Sequence, residues 1–199
     1  MIKKMLFIVI LLFPISAFSD IGVGILSEQI GVSHELSLKM NNGHYHKIFS
    51  LGKGPFNPAP GLWIDYSLKK YLGELSLSYS QQSIDGYFGE KLTLAMFNID
   101  LYGGYIYNIN DYFTVTPKVG VGISDYSLYF NSYGLEDTRF NIRALLELGY
   151  SYFNDKVDGK LFFSFSLGVQ NPIRYNLDEA GFVDGEPYMF NFKVGVLSK

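Results

Sequence analysis

From residue 61 onward, apolar side chains fall on every second position through long runs that are broken by clusters of Asn, Asp, Gly and Lys. A period of two belongs to a β-strand with unlike faces. The runs predict strands over 61–68, 72–81, 92–107, 112–129, 139–153, 157–170 and 187–197. One parity is apolar throughout, as in Leu62, Ile64 and Tyr66, in Leu146 and Leu148, and in Phe190, Phe192 and Val194. The other parity carries Asp65, Glu74, Asp100 and Glu147 against Lys118, Arg143, Lys160 and Lys193, interleaved with Ser, Thr and Asn.

The connections alternate in length. Tight turns at 69–71, 108–111 and 154–156 alternate with longer polar stretches at 82–91, 130–138 and 171–186. Short links on one side and long ones on the other define an antiparallel up-and-down meander. Seven strands are visible in this part, and a closed bacterial barrel needs an even number. Ile30, Val32, His34, Leu36, Leu38 and Met40 alternate in one parity, and Ile21, Val23 and Ile25 in the other. A bulge at 27–29 would fuse the two into an eighth strand and leave 41–60 as an outer loop. Separating them, with 44–51 as a further strand, gives ten. The eight-stranded count is preferred.

A leader precedes this pattern. Lys3 and Lys4 stand before the apolar run 5–13, and Pro14 and the small-residue end Ala17, Phe18, Ser19 follow it, the order of a secretory signal peptide. Residues 1–19 are therefore expected to be removed, leaving one domain over 20–199 that begins at Asp20. The apolar run is shorter than the roughly 20 residues that span a bilayer, so a helical anchor is not expected.

Composition narrows the class further. Loss of Lys3 and Lys4 with the leader takes the formal net charge from −3 to −5, which argues against nucleic acid as a partner. With no cysteine, the chain has neither disulfides nor a thiol site. Its 16 Tyr and 17 Phe call for either a sandwich core or a lipid-facing band with aromatic girdles. Tyr105, Tyr107, Tyr112, Phe113, Tyr150, Tyr152 and Phe153 gather beside the tight turns, and Tyr126, Tyr129, Phe130 and Tyr133 beside a long loop. Two such groups match two lipid–water interfaces. A soluble secreted β-barrel would account for the alternation alone. The equal number of acids and bases on the enclosed parity favours a narrow membrane barrel, where unpaired ions are costly.

The leader, the meander, the alternating link lengths and the last strand with Tyr188, Phe190, Phe192 and Val194 resemble the small outer-membrane barrels of the OmpA transmembrane domain, OmpX and opacity-protein type. The resemblance covers 20–199. It implies an all-β, closed antiparallel barrel in the outer membrane of a Gram-negative cell, a porin-like fold at the cell surface. It also implies outer-membrane lipid, lipopolysaccharide and the barrel-assembly machinery as partners. Members end on an aromatic residue that the assembly machinery reads, whereas here the run ends Val196, Leu197, Ser198, Lys199. That departure bears on assembly rather than on fold.

Little in the chain points to chemistry. His44 and His46 would share a side of an extended segment, but no third metal ligand accompanies them. Some barrels of this size resemble acyl hydrolases, which set a His against a Ser at the lipid interface. His34 lies between Ser33 and Glu35, and neighbours on a strand point to opposite faces, so no triad forms within that strand. Asp178, Glu179, Asp184 and Glu186 lack the spacing of a calcium loop. The expectation is no enzyme and no cofactor. It is a scaffold that shows its loops to an extracellular ligand, with a small-solute channel and a lipid-modifying hydrolase as alternatives. An eight-stranded interior fills with its own side chains, which disfavours the channel.

Overall fold

The computed structural model describes residues 20–39, 45–50, 59–85, 91–130, 133–153, 159–171, 173–176 and 181–198. The expected leader, 1–19, lies outside them. All the described secondary structure is strand: β1 (Asp20–Lys39), β2 (Tyr45–Ser50), β3 (Ala59–Leu68), β4 (Tyr71–Asp85), β5 (Lys91–Tyr105), β6 (Tyr107–Asn108), β7 (Phe113–Phe130), β8 (Tyr133–Phe153), β9 (Gly159–Gln170), β10 (Ile173–Asn176) and β11 (Gly181–Ser198).

Eight of these are the staves of a closed antiparallel barrel. Around the wall they run β1, β3, β4, β5, β7, β8, β9 and β11, and β11 pairs back onto β1. Closure matters because a bilayer offers no water to an unpaired sheet edge. The remaining strands are additions. β6 pairs with β7 beside the tight turn, β2 with the far end of β1, and β10 with the start of β11. The eight-stranded count therefore holds. The segment that would have made ten is a hairpin on β1, with Glu35 opposite Ser50 and Lys39 opposite Tyr45.

The ladder is staggered. From Val121 the register passes through Leu101, Leu75, Ile64, Val23, Val196 and Leu161 to Tyr152 on β8, yet the direct β8 partner of Val121 is Ile142. The offset from Ile142 to Tyr152 is the shear that tilts the strands and sets the bore. Every residue along that path is exposed or half-exposed and apolar or aromatic. The wall is an uncharged band that water cannot solvate well and lipid can.

Three expectations about the strands need correction. The irregularity in β1 falls between Ile30 and Leu36 rather than at 27–29, since pairing with β3 continues unbroken to Glu28. The stretch 130–138 is not a long loop: β7 runs to Phe130 and β8 starts at Tyr133, with those two residues paired. β11 likewise begins at Gly181, inside the expected loop 171–186. On the β7–β8 hairpin the reason is physical. Above the bilayer a strand keeps its backbone pairing but no longer needs an apolar outer face, so hydropathy reports where the lipid ends rather than where the strand ends. On β7 and β8 the outward faces turn polar at Asp125, Glu136 and Thr138, directly beyond Ile123 and Phe140.

Inside, apolar packing is confined to small groups. Leu26, Trp63 and Phe162 form one, with Leu197 against them, and Tyr102, Leu145 and Met189 form another. Ala59, Met96 and Tyr126 are buried as well, and the other buried side chains among the described residues are polar or charged.

Candidate functional site: a charged lumen

Each inward side chain comes from strand parity. On β8, residues 141, 143, 145 and 147 are buried while 142, 144, 146 and 148 are exposed, and the other staves alternate in the same way. Asp65, Glu74, Asp100, Lys118, Arg143, Glu147 and Lys193 are buried inside the barrel. Space for them is made by inward glycines. An added Cβ at Gly22 would collide with the carboxylate of Asp65 and the ring of Trp63, and one at Gly122 with the carboxylate of Asp100.

Two linked groups fill the bore. In the first, Lys118 Nζ lies 2.5 Å from Glu74 Oε2 and 2.7 Å from Glu147 Oε2. Lys193 Nζ pairs with the same two acids and lies 3.1 Å from Glu147 Oε2. Ser164 and Ser166 donate to Glu147 at 3.1 and 3.4 Å. In the second, Arg143 Nη1 lies 3.2 Å from Glu28 Oε1 and also pairs with Asp100. A directed chain of donors crosses the wall to meet it. Asn141 donates to Ser124 at 2.6 Å, Ser124 to Asn98 at 2.5 Å, Asn98 to Ser78 at 3.0 Å, and Ser78 to Glu28. Ion pairs this deep need extra hydrogen bonds: Ser164, Ser166 and Ser78 supply them to Glu147 and Glu28, whereas Arg143 Nε and Nη2 and Asp100 Oδ1 have no hydrogen-bond partner among the described residues.

Parity alone misplaces or omits several members. Glu28 was not expected here, although Ile21, Val23 and Ile25 point outward and so turn Leu26 and Glu28 inward; the supposed bulge at 27–29 hid that continuation. Lys160 has inward parity but stays half-exposed, its Nζ 4.6 Å from the ring centre of Phe153. Asp65 is buried, and it makes no ion pair among the described residues. Among the described residues, buried acids Glu28, Asp65, Glu74, Asp100 and Glu147 outnumber buried bases Lys118, Arg143 and Lys193, so the expected balance of four and four gives way to five and three. Tyr126, expected in an outer girdle, turns inward and donates to Asp137 at 2.9 Å.

The girdle near the tight turns is built as a chain of rings. Tyr71 and Tyr105 lie 5.5 Å apart between centres, Tyr105 and Tyr107 4.7 Å, and Phe113 and Tyr150 5.0 Å. At the opposite end, Arg139 Nη2 lies 2.6 Å from Asp137 Oδ2. Burial there works against ionisation of Asp137, but hydrogen bonds from Tyr126 and the Thr138 amide and the charge of Arg139 outweigh it and hold the carboxyl below the usual range. The side chains of His34 and His46, and all of His44, lie outside the described residues. Among the described residues, no group of three metal-ligating side chains occurs.

A closed antiparallel barrel with an uncharged, aromatic-edged outer band and a polar interior is the architecture of bacterial outer-membrane barrels, and the fold and surface place the chain in that membrane. Solved structures agree on the fold. The chain is similar to Neisserial surface protein A, with a TM-score of 0.52 and 8% identity over 90% of this chain and 96% of that one. It is also similar to the outer-membrane protein OprG from Pseudomonas aeruginosa, with a TM-score of 0.53 and 14% identity over 89% and 94%. No family model and no curated protein matches the sequence.

Proposed function

We propose that the protein is a surface scaffold: a closed barrel that holds strand extensions above the outer membrane for interaction with an extracellular ligand, and that conducts no solute. The observation that carries this reading is the interlocked lumen. Glu74, Lys118, Glu147 and Lys193 meet across the bore from four strands, and Arg143 bridges Glu28 and Asp100 beside them. Moving any of these ions aside to admit a solute would strand its partners without water, a loss of about 3–5 kcal/mol for each pair broken. The barrel then displays the segments of the long-loop end, 41–60, 82–91, 130–138 and 171–186, to the outside. Outer-membrane lipid and lipopolysaccharide surround the band, and the barrel-assembly machinery inserts it.

The test is exchange of 171–180 for a Gly-Ser linker in cells that display the full-length protein. Loss of adherence to glycan- or matrix-coated surfaces, with heat-modifiable gel migration retained, is expected. Adherence equal to that of cells lacking the protein, before any exchange, would remove the scaffold role. The hydrolase alternative predicts that a lipid A or phospholipid product is lost on deletion and lost equally in a His34→Ala variant.

A further inference from the structure

The lumen is sealed in its middle but not at its turn end. There a cavity of about 620 Å³ opens between the tight turns, with Lys69 and Asp111 on its rim, Asp20 and Lys160 on its sides, and Asp65 and Glu147 at its floor. Leu72, Phe162 and Leu197 supply an apolar wall. Short turns of outer-membrane barrels face the periplasm, so this vestibule opens there. Its size lies within the roughly 300–1,000 Å³ of small-molecule sites.

The two floor carboxylates differ. Glu147 is taken by Lys118, Lys193 and two serines. Asp65 is only 7% exposed, borders the cavity, and has neither a hydrogen bond nor an ion pair within the described structure. A carboxyl this secluded stays ionised only with a counter-charge, and the bases that act on it, Lys118 and Lys193, are shared with Glu74 and Glu147. The charged lining, four acids against two lysines, excludes an anion as the natural occupant. A divalent metal is also a poor fit, because the described residues bring no three ligating side chains together and the facing wall is apolar.

We propose that the vestibule binds a small organic ammonium ion from the periplasmic side, with its charged nitrogen on the Asp65 carboxylate and its apolar chain along Leu72, Phe162 and Leu197. The site is independent of the extensions at the other end and of any ligand they meet. Glu147 and its two lysines form the closed end, so the occupant enters and leaves by the same mouth.

Trp63, the single tryptophan, reports on this site. Its ring is buried, its centre lies 5.7 Å from that of Phe162, and Phe162 lines the cavity. The experiment titrates the folded full chain in zwitterionic micelles with n-hexylammonium chloride, reading Trp63 emission, with sodium hexanoate and potassium chloride as controls. Saturable binding of hexylammonium alone is expected, weakened about tenfold or more in Asp65→Asn. Lys69→Asn removes a repelling charge from the exposed rim and should strengthen binding by about threefold. Equal response to hexanoate, no saturation in the wild type, or unchanged affinity in folded Asp65→Asn would overturn the proposal. Should Asp65→Asn fail the heat-modifiability check for folding, the Lys69→Asn result decides, and unchanged affinity there overturns it.

Discussion

Glu147 and Asp65 border the same cavity, and both are buried inward acids. Glu147 is held by Lys118, Lys193, Ser164 and Ser166, whereas Asp65 pairs with no base among the described residues and feels the same two lysines only at longer range. Strand parity sends both side chains inward but does not choose their partners. Glu147 on β8 shares Lys118 of β7 and Lys193 of β11 with Glu74 of β4, and Arg143 of β8 joins Glu28 of β1 to Asp100 of β5. Asp65 stands directly opposite Glu74 in the β3–β4 register, beside an acid whose bases are already shared.

The contrast can be broken most severely from the paired side. Arg143→Met leaves Glu28 and Asp100 facing each other without a base, and a loss of about 3–5 kcal/mol is expected in the urea midpoint of the folded barrel. Adding Glu28→Gln and Asp100→Asn to that variant should restore most of it, because a neutral set no longer strands a charge. A triple variant as unstable as the single one would show that packing, not charge, is what Arg143 supplies.

The wall's other face offers the next test. Val121 points outward in the uncharged band, so Val121→Arg should cost about 2–4 kcal/mol of folding stability in lipid vesicles. An arginine tolerated there without loss would argue against lipid on that face.

Much of this was legible beforehand, and the omissions have a common cause. Alternation at 61–68, 72–81, 92–107, 112–129, 139–153 and 187–197 identifies the wall, its outward face and the inward charges Asp65, Glu74, Asp100, Lys118, Arg143, Glu147 and Lys193, since each strand is reported by its own residues. Glu28 escaped because the phase of β1 changes after Ile30, so its first half, read with the second, looks like the wrong face. The strand at 133–138 escaped because its outer face is polar at Glu136 and Thr138. Tyr126 shows the limit for aromatics: a ring near a loop joins a girdle or turns inward according to parity alone, and its even number puts it inside. The vestibule left no signal at all. It is assembled from seven staves and the turns, with only Gly22 hinting that the space near Asp65 is needed.

From the unpaired side, Asp65→Asn should change stability by less than about 1 kcal/mol, in sharp contrast with Arg143→Met, because no base loses its partner. A loss as large as that of Arg143→Met would mean that Asp65 belongs to the sealed network.

The smallest effect concerns the hairpin above the membrane. The Asp137 carboxyl titrates below its ordinary value of 3.8 in the folded hairpin. Its contribution is therefore complete above that value and is lost as pH falls through the lower folded one. Because Asp137 is partly exposed, the expected change is local: faster hydrogen exchange at the Thr138 amide at acid pH, absent in Asp137→Asn, which should exchange fast throughout. Exchange in the wild type that follows only the intrinsic pH dependence would remove the contribution.

The sealed lumen is the central claim, and single-channel recording of the reconstituted full-length barrel in planar bilayers tests it most directly. The account predicts a current no larger than that of bare lipid across the whole voltage range. Discrete, reproducible conductance steps that scale with the number of inserted barrels would contradict it.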